Sequence, residues 1–84
     1  MDRISKFLRV LTRPLRDRVD EAMMQILAGD VQRLDVYPLV GWSGYFRCRV
    51  GNVRIVYRKY PGGRCGIVEV GFRKDVYRRV KRSA

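Results

Sequence analysis

The stretch Tyr45-Phe-Arg-Cys-Arg-Val-Gly-Asn-Val-Arg-Ile-Val-Tyr57 decides how the chain folds. Gly51-Asn52 between two alternating runs reads as the two-residue turn of a β-hairpin. That turn pairs Val50 with Val53, Arg49 with Arg54, Cys48 with Ile55 and Arg47 with Val56. Side chains alternate faces along a strand. Phe46, Cys48, Val50, Val53, Ile55 and Tyr57 therefore form one apolar face, and Arg47, Arg49, Arg54 and Arg58 share the other. Like charges directly opposite each other destabilise a sheet. The opposition of Arg49 and Arg54 makes most sense if an anion sits between them.

Outward from the hairpin, the charge distribution points to the same half of the molecule. The chain has 84 residues, 46% of them hydrophobic, which suits one small folded domain spanning 1–84 with a limited core. Its formal net charge is +11. Residues 1–36 carry 7 basic and 6 acidic side chains, a balance of +1, whereas residues 37–84 carry 12 and 2, a balance of +10. Such a charge calls for a polyanionic or strongly acidic partner. Of the 19 basic residues 15 are Arg, the side chain suited to two-pronged phosphate recognition.

Upstream, Ile4, Phe7, Leu8 and Leu11 follow the spacing of a short amphipathic helix capped by Asp2. Thr12-Arg13-Pro14 breaks it, and a second helix is predicted from about Pro14 to Ala28. Leu15, Val19, Ala22, Met23, Ile26 and Leu27 make its buried stripe, and Gly29 stops it. Leu34-Asp-Val-Tyr-Pro-Leu39 is expected as an irregular or edge segment, because Pro38 suits no central strand. Trp42, beside a glycine turn, is expected to cap the core rather than to stack on a base. Downstream, Pro61 to Arg64 makes a turn into a third strand, Cys65 to Phe72, with Val68, Val70 and Phe72 on one face and Ile67, Glu69, Gly71 and Arg73 on the other; the register across the turn decides which face joins the arginines. Residues from Lys74 onward read as a basic turn or short helix. The expected fold is α+β: a helical hairpin packed on an antiparallel sheet of three to four strands, then a short C-terminal helix or tail.

Cys48 and Cys65, in a chain without His, match no metal-site spacing. They read as free thiols of a reduced compartment, with a single disulfide as the alternative. No apolar run approaches membrane-spanning length, and the start lacks a signal-peptide core. A soluble, cytoplasmic protein without cofactor or membrane partner is expected.

The run Gly44 to Tyr57, followed by Val-Gly-Phe-Arg-Lys-Asp-Val-Tyr at 70–77, resembles the RelE/ParE toxin superfamily of bacterial type II toxin–antitoxin systems. One branch of it cuts messenger RNA on the ribosome, and another poisons DNA gyrase. The resemblance carries Arg47, Arg49, Arg54, Arg73 and Tyr77 onto the catalytic positions of the RNA-cutting branch. Arg58, Lys74, Arg78 and Lys81 fall where further RNA contacts are expected. It implies 2′-OH attack on the adjacent phosphate within an arginine clamp. The alternatives are a gyrase inhibitor and a homologue that binds only RNA or its antitoxin.

The chain departs from the family pattern at three places. Phe72 stands where many members have His, and Arg47 and Arg49 where some have Lys. Arginine stays protonated, so a general base would fall to Glu69 or Tyr77, with Glu69 expected instead in an ion pair. The strand that usually precedes the helices is missing. Two outcomes are therefore expected for the bare sheet edge: filling in trans, by a second copy or by an antitoxin strand, or cover from Val31 to Tyr37 of the chain itself. The implied partners are an acidic antitoxin and ribosome-bound messenger RNA, or gyrase.

Overall fold

The computed structural model describes residues 2–83. Two helices come first, α1 (Arg3–Arg9) and α2 (Arg13–Leu27). Four strands follow, β1 (Asp35–Pro38), β2 (Tyr45–Val50), β3 (Val53–Lys59) and β4 (Cys65–Phe72), and then α3 (Arg73–Ser83). The strands form one antiparallel sheet in the order β1-β2-β3-β4.

The hairpin register is the expected one, with Arg49 opposite Arg54 and Val50 opposite Val53. Gly51 takes φ +59 at the first turn position, the left-handed geometry that a two-residue turn demands there. The segment around Pro38 is an edge strand: β1 pairs with β2, Asp35 opposite Arg49 and Tyr37 opposite Arg47. Of the two outcomes expected for the bare edge, cover from within the chain is the one the structure holds along β2.

Each face of the sheet has its own core. On one face Val19, Ala22 and Ile26 of α2 meet Cys48, Val50, Val53, Ile55, Tyr57 and Val70. Leu27, expected in that stripe, is 56% exposed; it is the last residue of α2 and lies off the face set by Val19, Ala22 and the buried Ile26. Asp30 N–H donates to Gln25 O at 2.9 Å and Gly29 N–H to Ile26 O at 3.0 Å, which closes the helix end around a Gly29 at φ +76. On the other face Val56 lies beneath Val76 and Val80 of α3, with Trp42, Tyr45 and Val68 packed around them. This second core occupies the middle of the face that carries the arginines.

The strict alternation expected in β4 fails at one residue. Val56 pairs with Glu69 but Tyr57 pairs with Ile67, so Val68 is an extra residue in the ladder. Ile67 consequently joins Val70 in the first core, whereas Val68 joins the second. Glu69, opposite Val56, is buried on the arginine side of the sheet.

The short helix α1 rests on β4. Asp2 caps it by accepting from Ser5 N–H at 2.8 Å, which holds the Asp2 carboxyl below its usual value. Arg16 closes its other end, donating to the carbonyls of Leu8 (3.0 Å), Arg9 (3.3 Å) and Leu11 (3.1 Å). Phe7 meets Phe72 edge-on at 4.9 Å, and Arg3 bonds Glu69 across the sheet edge. Among the described residues no helix is long and apolar enough to cross a membrane.

Candidate nucleic-acid interface

Register alone places three of the site arginines together. Arg47 and Arg49 are two apart on β2, and Arg54 faces Arg49 from β3. Arg73, the first residue of α3, enters from the end of β4. These four with Tyr37 line a cavity of about 140 Å3 at the hairpin end of the sheet.

Each guanidinium is held differently. Arg54 is buried, and its Nη1 donates to the carbonyls of Gly51 (2.9 Å) and Val53 (3.0 Å), fastening it to the turn beneath the cavity. Arg49 Nε bonds the Asp35 carboxylate at 2.7 Å. This corrects the expectation that the opposed arginines lack a protein counter-ion, for β1 brings Asp35 directly across from Arg49. Arg47 lies over the ring of Tyr37, 5.5 Å from its centre, and its Nη1 donates to the Tyr77 hydroxyl at 3.1 Å. That hydrogen bond holds Arg47 above the usual guanidinium value. Arg73 is exposed.

Glu69 is not available as a general base at this cavity. It is 2% exposed and bonded to Arg3, the ion pair expected of it. Tyr37 is the site residue that sequence reasoning missed. Its signal was the period of two through Asp35 and Tyr37, hidden because the segment was read as irregular or edge without a register, and so had no assigned face.

The remaining expected contacts lie elsewhere. Arg58 shares the arginine face but sits at its far end, between the rings of Tyr45 (5.5 Å) and Tyr60 (4.8 Å). The second core separates it from the cavity, since Val56 and α3 fill the intervening sheet. Lys74 and Arg78 are exposed on α3, and the side chain of Lys81 lies outside those described. Trp42 packs against the second core, edge-on to Tyr45 at 5.8 Å. Cys48 is buried and Cys65 half-buried, and both are free thiols. The described residues contain no group of three or more His, Cys, Asp or Glu placed to hold a metal ion.

The family model described as ParE toxin of type II toxin-antitoxin system, parDE, matches residues 1–77. The chain belongs to this ParE toxin family. Among solved structures, the crystal structure of the RelB–RelE antitoxin–toxin complex from Methanococcus jannaschii is similar, at 23% sequence identity and a TM-score of 0.71. The match covers 94% of each chain, and it is a likeness of fold. Compared with curated proteins, this ParE-family chain matches none. The helices, sheet and C-terminal helix are thus those of the RelE/ParE fold, and the arginine cavity belongs to a toxin.

Proposed function

We propose that this toxin cleaves messenger RNA on the ribosome by attack of a ribose 2′-OH on the adjacent phosphate. The observation that carries the reading is the cavity lined by Arg47, Arg49, Arg54, Arg73 and Tyr37. In the reaction the O2′–P bond forms and the P–O5′ bond breaks. Charge develops on the phosphate oxygens, where positioned guanidinium donors stabilise it most. Arginines cannot take the 2′-OH proton. Asp35, which does not line the cavity but is partly exposed and bonded to Arg49 on its wall, accepts it through a water in this reading. Tyr77, anchored by Arg47, donates a proton to the leaving O5′ and regains one from water.

The partner that restrains such a toxin is an antitoxin, and the charge of +11 calls for an acidic one. Messenger RNA recovered from translating ribosomes should carry new ends of 2′,3′-cyclic phosphate or 3′-phosphate, with 5′-hydroxyls on the downstream fragments. Tyr77→Phe should slow cleavage more than it weakens ribosome binding. Ends bearing 3′-hydroxyl and 5′-phosphate would remove the mechanism.

The ParE family match favours a second reading, non-nucleolytic inhibition of DNA gyrase, in which the same arginines grip a protein surface. A supercoiling assay run beside the ribosome assay separates the two. Blocked supercoiling with intact messenger RNA would select the second.

A further inference from the structure

The face of the sheet opposite the arginines carries a recess of its own, at the end away from the hairpin turn. Its volume is about 240 Å3, and Val31, Val36 and Phe46 line it together with Tyr57, Lys59 and Cys65. Tyr57 is 3% exposed and stacks on Phe46, ring centres 5.4 Å apart. Among the described residues no group hydrogen-bonds its hydroxyl. A buried hydroxyl without a partner costs stability, and since Tyr57 lines the recess, its partner has to come from there. Burial pushes this hydroxyl up to about 12, so it is a donor at any working pH. Lys59, two residues on along β3 and opposite Cys65, brings a positive charge to the same side of the sheet.

We infer that this recess binds a small carboxylic acid with an aromatic or branched aliphatic body. The carboxylate accepts from the Tyr57 hydroxyl and faces the Lys59 ammonium, while the body packs on Val31, Val36 and Phe46. Water is a poor occupant, because a held water makes about two to four hydrogen bonds and these walls are mainly apolar. A phosphate ester would bring more charged oxygens than the two donors satisfy. Size sets the other limit. A cavity of about 150 Å3 takes a benzene, so this one has room for a single ring and a short chain. The site also touches the arginine cavity through β1. Val36 lines the recess and its neighbour Tyr37 lines the cavity, so an occupant that holds β1 to the sheet steadies a cavity wall.

The probe is 3-phenylpropanoate, read by alkylation of Cys65. That thiol is half-buried in the recess wall, whereas Cys48 is fully buried and is labelled only on unfolding. At about ten times its dissociation constant the acid should slow Cys65 alkylation about tenfold, by occupancy alone, and slow amide exchange in β1. Propanoate, which lacks the ring, and 3-phenylpropanamide, which lacks the charge, should each protect less. Tyr57→Phe keeps the stacked ring and should weaken the acid about fivefold, the scale of one hydrogen bond. Lys59→Gln should erase the preference for acid over amide.

Cys65 alkylation unmoved by the acid at about 10 mM, more than a ligand of this size needs, overturns the site. Protection that persists undiminished in Tyr57→Phe and in Lys59→Gln places the acid elsewhere and overturns it equally. Protection by an acidic antitoxin peptide but not by the acid would make the recess a protein-docking surface and overturn the inference. None of these outcomes depends on whether the toxin acts on messenger RNA or on gyrase.

Discussion

Arg49 and Arg54 face each other across the hairpin, yet they are held by unlike means, and their variants should separate accordingly. Arg49 is largely exposed and its partner Asp35 partly so, and a pair of that kind contributes less than about 1 kcal/mol. Arg54 is buried with two hydrogen bonds to backbone carbonyls, and its removal leaves acceptors without a donor. Thermal denaturation of Arg54→Ala should show a loss of about 1–3 kcal/mol, against little change in Arg49→Ala. Toxicity should fall in both. An Arg54→Ala protein as stable as the parent would mean that the buried guanidinium is not structural. The opposition of these residues was legible in the sequence because a two-residue turn sets register. Their different environments were not, because Asp35 becomes a neighbour only once β1 pairs.

Two buried residues set the alkaline limit. Burial pushes the Cys48 thiol from 9.0 up to about 11 and the Tyr57 hydroxyl from 10.0 up to about 12. Both are neutral when protonated. Below about pH 9 the folded and unfolded chains hold these protons alike, and stability from this source is complete. Above it the unfolded chain releases them first, so stability is lost as pH rises through the folded values. Unfolding midpoints measured against pH should bend downward from about pH 9. In Cys48→Ala the bend should begin near pH 10, where Tyr57 alone remains to titrate in this pair.

Among the elements, α1 is the one fastened by few groups. It has no fully buried residue, and it is held by Ile4, Phe7 and Leu8 against the core, Arg3 on Glu69 and the Arg16 side chain on its final carbonyls. Arg16→Ala should cost about 1–3 kcal/mol and speed amide exchange in α1 before β2 to β4. Uniform acceleration over the whole chain would show that α1 opens only with global unfolding. The existence of α1, α2, β2, β3 and β4 was legible from periodicity and turn residues. The bulge at Val68 was not, since an extra residue leaves no mark in an apolar run and is decided by what packs on each face. Arg58 lies on the expected face, but its distance from the cavity was not legible for a related reason. Alternation assigns a residue to a face, but it does not say that α3 will divide that face in two.

For the whole molecule the uneven charge is a property of encounter. With +10 of the +11 carried by residues 37–84, an acidic partner is steered to the sheet and α3 before any contact forms. Stopped-flow association with the antitoxin should slow by about an order of magnitude or more between about 0.05 and 0.5 M salt. A rate indifferent to salt would assign the arginines to holding rather than to capture.

The arginine cavity draws on β1, β2, β3 and the start of α3, so its parts are strung along the chain from Tyr37 to Arg73. That arrangement has a genetic meaning. A premature stop or frameshift anywhere ahead of Arg73 removes at least one wall, so under the proposed role of the cavity almost any truncated reading of the gene should be harmless to the cell that carries it. Missense changes must instead strike one of a handful of codons, or the packing that brings them together. Lineages that escape the toxin thus have a wide target for breaking it and a narrow one for altering it, and degenerate copies should accumulate more readily than copies with a new specificity.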